Sequence, residues 1–141
     1  MLAVSGCPRI CAEATCKDSG VICVDSGFQV SIGGAAGMDV KETELLVQVP
    51  TEEEAIDVIK AVTQLYREHA KYLDRIYKWM AKVGLDWIKE RIVYDLDELD
   101  AYLDRFEVSQ SIYRHDPWAK HAADKAETYQ PLANLSLEAA E

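Results

Sequence analysis

Residues 22–34 read ICVDSGFQVSIGG. The apolar run Ile22–Val24 is followed by Asp25-Ser26-Gly27, and then by an alternation in which Phe28, Val30 and Ile32 fall on one side and Gln29 and Ser31 on the other. A period of two is the signature of a half-buried strand, and Asp-Ser-Gly supplies the side-chain acceptors and the free backbone of a tight turn. The stretch predicts a β-hairpin whose second strand ends at Gly33-Gly34. Further on, Leu45-Leu46-Val47-Gln48-Val49 predicts a third strand, stopped by Pro50, which has no N–H to give a ladder. On the other side of the hairpin lies a short segment, Met1 to Gly20, that holds three cysteines; the fourth, Cys23, is in the hairpin itself.

At Thr51 the period changes. Ala55, Ile59, Val62, Tyr66, Leu73, Ile76, Met80 and Val83 recur every three or four residues, which is the helix period. Thr51 with Glu54 forms a capping box. One helix over this whole run is long for a small domain, so a break is predicted near residues 70–72, and Gly84 is the expected C-terminal cap. Leu85, Ile88 and Ile92 mark a short helix. Asp95 with Glu98 forms a second capping box ahead of the apolar stripe Leu96, Leu99, Leu103 and Phe106. Trp79, Trp87, Tyr66 and Tyr77 stand at helical spacing and are expected in the core. The pattern fades after Pro117, and the Ala-rich, acidic residues 122–141 are expected to form a loose tail. The chain therefore reads as α+β: residues 1–50 a cysteine loop, a short helix and a small, mostly antiparallel sheet; residues 51–115 a helical portion; residues 116–141 a C-terminal extension.

The composition, 141 residues with 49% hydrophobic and 28% charged, is that of one globular domain. The net charge of −10 argues against nucleic acid, which requires a basic face. No apolar run is long enough to span a membrane, and the first residues lack the basic and apolar regions of a signal peptide, so the expected location is the cytoplasm. Four cysteines confined to the first 23 residues do not make a disulfide framework for the whole domain.

Metal, cluster or redox chemistry, or a set of buried thiols, therefore remain as readings of Cys7, Cys11, Cys16 and Cys23. Pro8 suits the first position of a helix, and PRICAEATCK (8–17) predicts a short one with Cys7 at its N-cap and Cys11 in its first turn. Residues four apart share a face, with Cβ atoms roughly 6 Å apart, and helix N-terminal N–H groups favour thiolates. Cys16 would fall on the opposite face and Cys23 inside a strand, buried. Glu13 would be a solvated helix residue, or a proton relay beside the loop. Zinc prefers C-x2-C or Cys/His pairs, and His69, His115 and His121 have no such spacing. The C-x-x-C redox motif is absent. A 4Fe-4S cluster takes four ligands, and this helix offers two.

SGCPRIC (5–11), GVICVDSG (20–27) and FQVSIGG (28–34) resemble the second cluster-binding half-motif of the siroheme-dependent nitrite and sulfite reductases. YREHAKYL (66–73), VGLDWIKERIV (83–93) and SQSIYRHDPW (109–118) are similar to the C-terminal end of the large subunit of the NAD(P)H-dependent assimilatory nitrite reductases. The resemblance runs from about Ala3 to Leu132. It implies that Cys7 and Cys11 ligate a 4Fe-4S cluster together with an upstream cysteine pair, and that the sulfur of Cys11 also bridges to siroheme. It further implies that Arg9, with Lys17, meets siroheme carboxylates and that Gly33 and Gly34 let backbone approach the macrocycle. The activity implied is six-electron reduction of nitrite to ammonia, or of sulfite to sulfide in the sister enzymes. The N-terminal remainder of the same polypeptide would supply the other two cysteines, and FAD and NAD(P)H would act only through upstream domains, so that the isolated chain is expected to be inactive. Two positions depart from the pattern: Ile10, where Asn is common, and Ala35, where the strand end often reads Gly-Gly-Asn. The alternative is a non-catalytic, stand-alone domain that binds a metal or a partner protein through Cys7 and Cys11.

Overall fold

A computed structural model of the chain describes residues 1–114 together with 118, 119 and 123; His115, His121 and most of the extension expected from residue 116 lie outside the described residues. The predicted hairpin is the centre of the sheet. Strands β2 (Ser19–Val24) and β3 (Gly27–Ile32) pair antiparallel, with Ser19 opposite Ile32 and Val24 opposite Gly27. A short strand β1 (Leu2–Ser5), which the sequence reading left unassigned, lies parallel to the outer side of β2. A minor ladder of β4 (Ala35–Ala36) and β5 (Val40–Lys41) stands apart from it. Strand β6 (Glu44–Val49) pairs antiparallel with the other side of β3, with a register slip between Val30 and Ser31, and gives the order β1-β2-β3-β6.

The alternation divides the sheet into two working faces. Val21, Val30, Ile32 and Leu46 are buried against helix α1 (Glu52–His69), which presents Ala55, Val58, Val62 and Leu65. The opposite face carries Gly20 and Ser31, whose hydroxyl donates to the Gly20 carbonyl at 3.3 Å. Helix α1 starts where the cap predicts: the Thr51 hydroxyl accepts from the Glu54 N–H at 3.3 Å. It ends at His69, near the expected break, so Leu73 sits exposed in the connection at φ 70 rather than on the helical stripe.

Helix α2 (Ile76–Val83) ends at Gly84, whose N–H donates to the Met80 carbonyl at 2.8 Å. Trp79 is 2% exposed, and Tyr66 and Trp87 meet its ring edge-on at 5.6 and 6.3 Å. Tyr77 does not join this core; its hydroxyl donates to Asp39 Oδ2 at 2.6 Å, in the turn between β4 and β5. Helix α3 (Leu85–Lys89) widens into a π-helical stretch, Glu90–Tyr94, and helix α4 (Leu96–Tyr113) follows, its Glu98 N–H capped by Asp95 Oδ1 at 3.0 Å. Residues Met1–Glu107 form one compact unit, and the chain from Val108 onward forms a second.

Candidate functional site

After Ser5 the chain leaves the sheet and returns to it at Asp18 through three linked turns. The Ile10 N–H donates to the Cys7 carbonyl at 3.2 Å, Glu13 to Ile10 at 2.9 Å, and Cys16 to Glu13 at 3.0 Å. Ile10 and Glu13, each closing one turn and opening the next, both have φ 55. The helix expected from Pro8 to Lys17 is therefore reduced to one 3-10 turn, Ala14–Cys16, and Cys7 is not a helix cap. A left-handed residue at every third position cannot propagate i→i+4 hydrogen bonds.

Packing imposes this path. A Cβ on Gly20 would lie 2.1 Å from the carbonyl oxygen of the fully buried Ala14, and one on Gly34 would lie 2.5 Å from that of Lys17. The second half of the loop is laid directly on sheet backbone, so tertiary contact overrides the local helix preference of the sequence.

Cys7 and Cys11 are exposed free thiols on the outer turns, with the exposed Arg9 between them. Cys16 is half-buried in the 3-10 turn. Cys23, expected to be buried, is only half-buried; it faces the α1 side of the sheet in a groove with Leu2, Val4 and Phe28, away from the loop. Gly33, at φ 88, abuts the Met80 side chain, and Gly34 seats the loop, so both glycines are required by the chain's own packing. Glu13 is exposed and outside any helix; Lys17 Nζ donates to its Oε2 at 2.8 Å, which holds the Glu13 carboxyl below its ordinary range and raises the Lys17 ammonium above its own.

The loop closes on Asp18. Burial pushes its carboxyl up, but its hydrogen-bond partners, Arg75 among them, and their charges hold it below the usual carboxylate range. The Ser5 hydroxyl, at the root of the loop, is buried without a hydrogen-bond partner.

Among the described residues, no three His, Cys, Asp or Glu side chains converge as a metal site. Two exposed thiols, on a loop anchored at both ends, fit two of the four thiolate donors of a 4Fe-4S cluster. Sequence reasoning picked out the thiols by spacing and missed Asp18 with its partner Arg75. A buried acid followed 57 positions later by an arginine carries no local signal.

No helix among the described residues is long and apolar enough to cross a membrane. Residues 2–98 match the family model described as nitrite and sulphite reductase 4Fe-4S domain. The chain is 34% identical over 134 residues to a nitrite reductase [NAD(P)H] of Bacillus subtilis, covering 95% of this chain and 16% of that protein. It is 33% identical over 137 residues to a nitrite reductase [NAD(P)H] of Neurospora crassa, covering 93% of this chain and 12% of that protein. Over 90 residues it is 26% identical to an assimilatory-type sulfite reductase of Nitratidesulfovibrio vulgaris, covering 64% of this chain and 41% of that protein. The chain thus spans between 12% and 41% of the length of these relatives, and the span that matches the family model includes the cysteine loop, the whole sheet and the first three helices. This chain belongs to the nitrite and sulphite reductase 4Fe-4S domain family.

Proposed function

We propose that this chain is the part of a siroheme- and 4Fe-4S-dependent nitrite reductase that supplies two of the four cluster thiolates, Cys7 and Cys11, with Cys11 also bridging to siroheme. The observation that carries the reading is the pair of exposed thiols on an anchored loop, in a chain of a 4Fe-4S family. Bound there, the cluster and siroheme would pass on to nitrite the electrons that NAD(P)H provides, the redox chemistry that takes nitrite to ammonia. The chain's own contribution is to hold and orient: Arg9 meets siroheme carboxylates, Gly33 and Gly34 form the strand end that seats the cysteine loop, and the helices between residues 52 and 107 form the cap over the sheet. The other two cysteines come from the remainder of a longer cytoplasmic polypeptide, which also carries the FAD and NAD(P)H sites, and the isolated chain does not turn over substrate. Nitrite is preferred to sulfite because the relatives above 30% identity are named for nitrite.

The test is substitution in the full-length enzyme. Cys7→Ser removes the cluster's visible absorption, Cys11→Ser abolishes the electronic coupling of cluster and siroheme, and Cys16→Ser leaves both in place. Loss of the cluster in Cys16→Ser, with retention in Cys7→Ser, would refute the assignment.

A further inference from the structure

We infer that Arg75 is a positioning residue for the cysteine loop, acting through Asp18. The inference rests on the reading of Cys7 and Cys11 as thiolate ligands, and it begins with how the loop is anchored. At its near end the loop grows out of β1, whose ladder with β2 runs through Ser5 opposite Ile22. At its far end the anchor is Asp18, whose side chain is 12% exposed. Asp18 Oδ1 accepts from Arg75 Nη2 at 2.8 Å and from Nε at 3.1 Å. The Asp18 carbonyl accepts from the Gly33 N–H, and that of Thr15 from Thr43, both at 2.9 Å.

Arg75 is itself held. Its carbonyl accepts from the Lys78 and Trp79 N–H groups at 2.9 and 3.0 Å, so it opens α2, and the indole of Trp79 is in the core. Its guanidinium lies over the Tyr77 ring, 5.9 Å from the centroid. An unbroken chain of contacts thus runs from the buried Trp79, through the first turn of α2 and the Arg75–Asp18 pair, to the end of the loop. The two outer cysteines are exposed, so their placement is inherited from these anchors. Removing the guanidinium leaves a mostly buried carboxylate short of its main side-chain partner and frees the end of the loop from the helices.

The experiment uses the full chain, reduced and anaerobic, titrated with Co(II) and read by thiolate-to-cobalt charge-transfer absorption. Amide hydrogen exchange is followed in parallel. Cys7→Ser and Cys11→Ser are expected to lose the absorption. Arg75→Ala is expected to weaken cobalt binding by about tenfold, the usual scale for the loss of a group that orients a ligand. In the same variant the Cys16, Gly33 and Thr43 amides exchange faster, while Leu65, fully buried in α1, does not. Arg75→Lys, which keeps the charge and one donor, restores part of the affinity; with Arg75→Gln it carries the comparison where the alanine variant does not fold. Wild-type affinity and exchange in Arg75→Ala, with a cysteine-dependent absorption, overturns the role of Arg75 alone. Faster exchange at Leu65 in step with the loop makes Arg75 a general stability residue and also overturns it. An absorption that survives both cysteine substitutions overturns the ligand reading, and this inference with it.

Discussion

Ile10 holds a β-branched side chain at φ 55. The left-handed region costs an L-residue roughly 1–2 kcal/mol, and Asn is among the few side chains that visit it readily. Ile10 is also the position where the resembling family commonly has Asn. The backbone angle supplies a physical reason: the loop turns left-handed there whichever residue stands in it. Ile10→Asn is therefore expected to raise the unfolding free energy by about 0.5–1 kcal/mol, read as a higher urea midpoint at unchanged slope. Gly34 works in the opposite sense. Its missing Cβ is the space taken by the Lys17 carbonyl and the Thr43 methyl, so Gly34→Ala should cost about 1–3 kcal/mol in the same assay. Both residues were visible in the sequence, but neither the left-handed angle nor the atoms facing the glycine were, because both arise where residues distant in the chain meet.

Asp18 adds a pH dependence. A carboxylate held below its ordinary value stabilises the fold above its unfolded pKa, about 3.9, and loses that contribution as pH falls through the lower folded value. Glu68, hydrogen-bonded by Arg105 and likewise lowered, acts in the same direction. The thermal midpoint is expected to drop on acidification below about pH 4, and Asp18→Asn to flatten that drop. An unaltered profile in Asp18→Asn would show that the pair with Arg75 does not contribute to folding.

The helices and the hairpin were readable because their signals are local. Thr51 caps α1, a 3.6-residue stripe faces the sheet, Gly84 ends α2, and Asp25-Ser26 turns the hairpin ahead of Gly27. Thr51→Ala is expected to cost about 1 kcal/mol, and Leu65→Ala, at the centre of the stripe and fully buried, about 2–5 kcal/mol by calorimetry. Two elements escaped for a shared reason. Strand β1 is four residues long and pairs in parallel with a strand that begins seventeen positions after it, so no turn announces it. The helix expected at Pro8 has good local chemistry, but Gly20 and Gly34 draw the backbone of residues 14–17 onto the sheet and leave no room for it. Local propensity decided wherever the packing partner was also local, and failed where the partner was a flat stretch of glycine backbone far along the chain.

Taken together, the unit Met1–Glu107 is one sheet with two unequal covers: helices on one face, which supply the hydrophobic core, and a thin loop on the other, which supplies the exposed thiols. The helical face supplies the buried core, the loop face carries the exposed thiols, and the two meet at the end of the central strands, at Asp18, Gly33 and Gly34. This division bounds what the chain can bind alone. A 4Fe-4S cluster takes four protein donors. Of the three loop cysteines Cys16 is half-buried in its 3-10 turn, Cys23 opens on the opposite face, and the described residues bring no third donor to Cys7 and Cys11. Anaerobic reconstitution of this chain with iron and sulfide should therefore yield no monomer carrying a complete cluster, as judged by iron content per chain across a size-exclusion peak. A chain that elutes as a monomer with about four irons would contradict the half-site. A dimer with half that iron per chain would mean that two loops can meet face to face, each acting as the upstream pair for the other. In either case Cys7→Ser should abolish the bound iron and Cys23→Ser should not, since only the former lies on the loop face of the sheet.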